Sequence, residues 1–312
     1  MDKKVLIVID ANAVIHRAFH ALPPLSTKKG ELVNAIYGFL LVFLKAIKEF
    51  KPDFIVAAFD FPAPTFRHQR YKLYKATREK APQELYDQIP KIKDILRAFD
   101  VKIMEKQGFE ADDLIGTVAK QAGRRQISPP IETIILTGDN DALQLVDKNI
   151  KVYALRKGVK DTVLYDEEKV KEKMQGLVPG QIVDYKALRG DPSDNIPGIT
   201  GIGEKTAIDL LLKFGSLDNI YKALRAGTEE AREIKQAVRQ KLLDQKDQAM
   251  VSKMLADINK DVPVDFNLDD CAFKGYDKDR IAEAFNAYEF KTLINRLPDA
   301  KEEKEGNNLT LL

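Results

Sequence analysis

The chain has 312 residues, 44% of them hydrophobic, which is enough for one large domain or two small ones and excludes disorder as the main state. Its 50 Lys and Arg stand against 48 Asp and Glu, so the net charge of +2 indicates no partner until the charges are located along the chain. A single cysteine, Cys271, excludes an internal disulfide and a cysteine-based zinc site, and the longest apolar run stops at Lys45, so the chain reads as cytosolic with no membrane role.

The first element is Val5 to Ile9, a continuous apolar run of the kind expected in a parallel strand covered on both faces, and it ends in Asp10. Ile36, Phe39, Leu40, Phe43 and Ile47 then form a helical stripe. A second strand, Phe54 to Phe59, ends in Asp60; a short one at Val101 to Met104 precedes a helix from Ala111 to Ala122; and a third buried run, Thr133 to Thr137, leads through Gly138 into Asp139 and Asp141. This alternation predicts a doubly wound α/β fold with a mostly parallel central sheet flanked by helices. Beyond Leu164 the pattern becomes helical, near Glu167 to Met174, Pro179 to Leu188, Lys205 to Phe214 and Glu229 to Ile258. No linker-like composition separates the halves, so the helical part is expected to pack against the sheet and not to fold alone. The expected division is an α/β core at 1–165, a helical region at 166–297 and a polar tail or linker at 298–312.

In an open α/β sheet, ligands bind outside the carboxyl ends of the strands, where Asp10, Asp60, Asp139 and Asp141 should converge. Glu110, Asp112 and Asp113 at a helix start, and Asp191 and Asp194 in Arg-Gly-Asp-Pro-Ser-Asp, complete a candidate set of nine acids. One Asp after a strand is usually a turn former or helix N-cap. Nine together are different, because two like charges about 4 Å apart repel by roughly 4 kcal/mol at an effective dielectric near 20. Bound cations resolve the repulsion, and an all-oxygen donor set suits Mg²⁺, with Mn²⁺ able to substitute. Two such ions can activate a water and stabilise the leaving oxygen in a displacement at phosphorus, which points to phosphodiester hydrolysis. Mg²⁺-dependent phosphatases use fewer acids on similar sheets, so the carboxylates alone leave the substrate open.

Phe66 to Lys80 carries six basic residues against Glu79 alone, with Arg67, Arg70, Lys72, Lys75 and Arg78 interleaved with Tyr71 and Tyr74. Most charge runs are solvated helix faces. Placed just after Asp60, this one is read as equipment for single-stranded nucleic acid, bases on phosphates beside aromatics that stack. Ile196 to Ala207 is a glycine-rich turn opening a helix; Glu204 breaks the Gly-Lys-Ser/Thr ending of a P-loop, which disfavours an NTPase. Gly198, Gly201, Ile202, Gly203, Lys205 and Thr206 fit a helix-hairpin-helix at about 190–225, whose backbone amides grip phosphates without reading sequence.

These residues resemble a known family, the 5′ nuclease domain of bacterial DNA polymerase I with the phage 5′ nucleases and flap endonucleases. The resemblance spans residues 4–297 and rests most on Gly108-Phe109-Glu110-Ala111-Asp112-Asp113, Thr137-Gly138-Asp139-Asn140-Asp141 and Gly190-Asp191-Pro192-Ser193-Asp194-Asn195-Ile196-Pro197-Gly198. It implies a PIN-like core with a helical arch at about 64–90, and structure-specific hydrolysis of DNA at 5′ ends, nicks and flaps for primer removal and repair, leaving a 5′ phosphate. Asp10, Asp60, Glu110 and Asp112 would mainly serve one ion and Asp113, Asp139, Asp141, Asp191 and Asp194 the other. Lys75 and Arg78 would stabilise charge on the scissile phosphate, Arg17 would contact a phosphate nearby, and K⁺ would sit at the hairpin. RNA primers, a monomeric state, fusion to or cooperation with a DNA polymerase, and a place on DNA in the bacterial cytoplasm follow from the same likeness. Two residues depart from the family pattern: His16 stands where an aromatic platform is usual, predicting a pH-sensitive contribution to positioning, and Asn140 replaces a common basic residue. The rival expectations are an inactive junction-DNA-binding module and a metal-dependent single-strand ribonuclease.

Overall fold

The computed structural model describes residues 3–124 and 128–298, so the expected tail lies almost wholly outside the described residues. Six strands, β1 (Lys4–Asp10), β2 (Phe54–Ala58), β3 (Lys102–Met104), β4 (Ile131–Thr137), β5 (Ile150–Leu155) and β6 (Thr162–Tyr165), form one sheet in the order 3-2-1-4-5-6. The first five run parallel and β6 closes one edge antiparallel. Around the sheet lie α1 (Ala11–Ala21), α2 (Asn34–Phe50), α3 (Phe66–Arg70), α4 (Gln83–Tyr86), α5 (Ile89–Ala98) and α6 (Ala111–Arg124). The chain continues through α7 (Glu167–Lys173), α8 (Ile182–Arg189), α9 (Glu204–Phe214), α10 (Leu217–Ala226), α11 (Glu229–Arg232), α12 (Gln236–Asp244), α13 (Lys246–Ala256), α14 (Lys278–Ala287) and α15 (Lys291–Ile294).

Both faces of the sheet are covered, which is why the strands read as unbroken apolar runs instead of alternating. Ile7 and Ile9 face one core with α1, α2 and α5, while Leu6 and Val8 face the other with α6. Asp10 and Ala58 are register partners, as are Ile9 and Leu136, so β1, β2 and β4 end at one rim. The chain leaves β1 for β2 on one side and later returns to β4 on the other, which makes that rim the switch point of the topology. Helix α1 is drawn close to α2 at Gly38, where an added Cβ would lie 2.7 Å from the Ala18 Cβ. The contact fixes the angle at which α1 carries His16 and Arg17 away from Asp10.

The helical half packs against the sheet as expected, but it also builds a core of its own. Residues of α8, α9, α10 and α12 build a core of their own around Leu188, Ile202, Leu211, Ile220 and Leu242. After α13 the chain turns back to the sheet: Ile258, Val262 and Leu268 join one face, and Phe273, Ile281, Phe285 and Leu293 the other. The expected 166–297 unit is therefore divided between its own core and both faces of the sheet, because burying the sheet completely requires apolar side chains that the first half lacks. The expected arch is likewise not one helix. Within 64–90 only α3 and α4 are helical before α5 begins, joined by turns in which Lys75 adopts a positive φ of 54°.

Candidate active site

At the rim of β1, β2 and β4 a cleft of about 510 Å³ is lined by Asp10, Asp60, Glu110, Asp112 and Asp139 together with Asn12, His16, Arg17, His20, Lys75 and Arg78. Backbone and hydroxyl groups aim the acids. The Asp10 carboxylate caps α1 by accepting from the Ala13 N–H at 3.1 Å and also accepts from the Thr137 hydroxyl at 2.5 Å. Asp60 accepts from the Ala111 N–H, 2.8 Å, at the start of α6, and Asp139 from the Asp141 N–H, 2.9 Å. The N-cap role is thus real at Asp10, and it orients a carboxylate that also faces the cleft.

The resulting charge density is high. Burial, then repulsion from Asp139 and Asp60, opposed by the Thr137 and Ala13 hydrogen bonds, pushes the Asp10 carboxyl up to about 7. Burial followed by Asp139 does the same at Asp141, to about 7 against the pull of Lys186, and Asp112 is held well above the usual range by burial, Asp10 and Asp139. Asp139 therefore acts on both sides of the cluster, on Asp10 and Asp112 and on Asp141.

The remaining acids are already paired with the chain's own cations. Lys186 of α8 bonds both Asp141 and Asp191, the latter at 2.6 Å. Arg78 bonds Asp194 at 2.5 Å, and Lys75 bonds Glu110 at 3.0 Å. Burial pulls the Lys75 ammonium down, but Glu110 and Asp194 outweigh it, so the group is held above the ordinary lysine value and stays charged. Arg17 donates to the Gly138 carbonyl at 3.1 Å.

Three expectations are corrected. Asp113, expected as an ion ligand, is 0% exposed and holds Arg67 through two contacts of 2.8 Å, while accepting from the Glu110 and Asn259 N–H groups. Arg67, expected on DNA, is 2% exposed and spends its other donors on the Leu255 and Asp257 carbonyls. Tyr74, expected to stack on bases, is 3% exposed, with its hydroxyl donating to Glu110 and Asp194. Arg70 and Lys72 are exposed and Tyr71 is half-buried, so those three remain on the surface beside the cleft. At His16, burial first and then His20 and Arg78 lower the imidazole below its usual value, so it is neutral near pH 7 instead of titrating there. Sequence reading missed Lys186, Thr137, Asn12 and His20. Lys186 lies five residues before Asp191 across the helix end at Gly190, a spacing that belongs to no helix face.

The glycine turn leads into α9 as expected, with the N–H groups of Glu204 to Thr206 in its first turn and so without acceptors inside the helix. Lys205 is exposed, Thr206 is half-buried, and Ile202 is buried in the helical core, where it anchors the turn. Gly198, with φ 61°, lies so close to Gly190 that a Cβ would come within 2.2 Å of its backbone nitrogen. Its N–H is taken by the Ser252 hydroxyl, so among the expected hairpin contacts it serves folding.

Comparisons with known proteins identify the family. Residues 5–175 match the family described as 5′-3′ exonuclease, N-terminal resolvase-like domain, and residues 177–279 match 5′-3′ exonuclease, C-terminal SAM fold. DNA polymerase I of Bacillus subtilis (strain 168) is 40% identical over 304 residues, and that of Caldicellulosiruptor bescii 43% over 294 residues, covering 97% and 94% of this chain. The chain spans about a third of the length of these relatives, 33% in each case. Among solved structures, T5 5′-exonuclease with bound zinc superposes with a TM-score of 0.64 at 19% identity, covering 94% of this chain and 99% of that one. The catalytic core of Rad2 in complex with DNA superposes with a TM-score of 0.61 at 18% identity, covering 94% and 92%. Matched along both halves, this chain belongs to the 5′-3′ exonuclease family.

Proposed function

We propose that the chain is a divalent-metal-dependent 5′ nuclease that hydrolyses DNA phosphodiesters at free 5′ ends, nicks and flaps. One observation carries the reading: five of the nine candidate acids share a cleft wall with Lys75, Arg78 and Arg17 at the switch point of the sheet. The donor set fits Mg²⁺ or Mn²⁺. Asp10, Asp112 and Asp141 are pushed toward protonation by burial and mutual repulsion, a cost that a cation relieves. Among the described residues no three His, Cys, Asp or Glu side chains form a ready-made cage, so the ion reading rests on the charge of the acids and not on preformed coordination. Asp10, Asp60, Asp112 and Asp139 would hold one ion and Asp141, Asp191 and Asp194 the other; bound there, they would supply Lewis-acid stabilisation and an acidified water.

The protein side of the chemistry is positioning and charge. Lys75 and Arg78 reach the cleft from the segment after α3, and on substrate binding they would exchange Glu110 and Asp194 for the non-bridging phosphate oxygens, stabilising charge that grows in the transition state. Arg17, steadied on the Gly138 carbonyl, would hold a neighbouring phosphate. Neutral His16 offers a small flat face to a base at the cleavage point. Duplex DNA would rest on the first-turn amides of α9 with Lys205 and Thr206, a grip that reads backbone and not sequence and so also tolerates an RNA primer strand. Potassium at the hairpin would be held by the carbonyls of Gly198, Ile199, Thr200 and Gly201, which accept from Gln248, the Ile202 N–H, Gln245 and Lys241 and each keep a second lone pair. The chain would act as a monomer on cytoplasmic DNA, beside a polymerase as in its relatives.

An end-labelled 5′-flap duplex incubated with Mg²⁺, Mn²⁺ or chelator tests the reading. The expected result is cutting near the junction with either ion, none with chelator, and a 5′ phosphate on the new end. Binding without cutting in every condition would overturn it in favour of a junction binder, and cutting of a matched RNA flap alone in favour of a ribonuclease.

A further inference from the structure

Acids lining the cleft and acids beside it fall into two electrostatic classes. Asp10, Asp60 and Asp139 are held by backbone N–H groups and a hydroxyl, with no ammonium or guanidinium among the described residues bonded to them. Asp141 and Asp191 share one ammonium, that of Lys186, whose side chain is only 12% exposed. The arrangement is built from several directions. Ser193 takes Asp191 Oδ1 through its N–H at 2.9 Å and its hydroxyl at 2.6 Å, which leaves Oδ2 to Lys186. The Lys186 carbonyl accepts the Gly190 N–H at 2.8 Å, so its backbone is pinned and only the side chain is free to move. The N–H of Asp141 bonds Asp139, which ties the two classes together through one loop.

We propose that Lys186 is a built-in counter-cation that occupies the gap between Asp141 and Asp191 in the ion-free protein and thereby sets the affinity for the second divalent ion. This deepens the nuclease reading and rests on it. The first ion enters among acids that carry no cation and gains their full field. The second must break the two charge-assisted hydrogen bonds of Lys186 and expel its ammonium, beside the Arg78 guanidinium that bonds Asp194 at 2.5 Å, so a divalent charge replaces a monovalent one and the net attraction is smaller. Lys186 is a positioning residue in this scheme; it touches neither substrate nor reacting atoms.

The test needs neither DNA nor turnover. Free Mn²⁺ is followed by electron paramagnetic resonance during titration of the whole chain, of Lys186→Met and of Lys186→Arg. The unaltered chain should bind one ion tightly and a second weakly. Lys186→Met should tighten the second by about tenfold or more while leaving the first within about twofold, and Lys186→Arg should resemble the unaltered chain. In the unaltered chain, the ¹³Cε resonance of Lys186 should hold through the first equivalent of Mg²⁺ and shift over the second, which keeps the proposal testable if a variant fails to fold. Two bound ions whose constants ignore Lys186→Met, or a resonance that completes its shift in the first equivalent, would overturn the role of Lys186 and leave the metal reading intact. Uptake of no ion at all would overturn both.

Discussion

Asp112 and Asp113 are adjacent in sequence and opposite in environment, and Arg67 exposes the difference. Arg67→Met removes a guanidinium that is 2% exposed and bonded to both oxygens of Asp113 and to two backbone carbonyls, those of Leu255 and Asp257. What remains is a carboxylate with 0% exposure, served only by the Glu110 and Asn259 N–H groups. Breaking one partner of such a buried pair costs about 3–5 kcal/mol, which for a chain of this size lowers the melting temperature by on the order of 10 °C. Asp113→Asn strands the guanidinium instead and should cost a similar amount, whereas Asp112→Asn relieves repulsion and should leave the ion-free protein as stable or more so. Urea denaturation without metal measures all three, and Mn²⁺ titration of the folded variants measures ligand character. The structure predicts that Asp113→Asn loses stability and keeps its tight ion, while Asp112→Asn keeps stability and loses the ion. An Asp113→Asn chain that denatures within about 1 kcal/mol of the parent yet binds Mn²⁺ tenfold more weakly would refute the structural assignment.

Three further outcomes follow from the electrostatics. Asp10 and Asp141 have carboxyls raised to about 7 in the fold, so between about pH 4 and 7 the native state binds more protons than the unfolded chain. Stability of the ion-free protein should accordingly fall as pH rises through that window and level off above it, with saturating Mg²⁺ flattening the fall; a melting temperature that climbs steadily to pH 8 in chelator would contradict this. Lys75→Ala should reduce single-turnover cleavage by about 10²- to 10³-fold while changing flap affinity far less, measured by fluorescence anisotropy with Ca²⁺ in place of Mg²⁺. Because the His16 imidazole is held below its usual value, His16→Tyr should change the pH-rate profile only on its acid side, and a change equal at pH 5 and pH 9 would show that the ring's charge state is not what matters.

The buried strands β1, β2 and β4 and the acids at their ends were legible in the sequence because a strand covered on both faces must be apolar throughout and must stop where charge begins, whereas β5, interrupted by Lys151, was not read. Val5 to Ile9 followed by Asp10 shows the relation most directly. Strand β6 was not read either, since an antiparallel edge strand such as Thr162–Tyr165 is only partly buried and carries a weaker pattern. The return of 258–297 to the sheet could not be read from helical periodicity, which says that a face is apolar and not which surface covers it. The site divides in the same way. Composition alone determined that nine acids and a basic segment accompany a glycine hairpin. Tertiary packing decided that Asp113 belongs to Arg67, that Asp139 faces both Asp10 and Asp141, and that Lys186 bridges Asp141 and Asp191. The physical reason is that residue type fixes the charge a side chain can bear, whereas its partner and its dielectric surroundings exist only once distant segments meet.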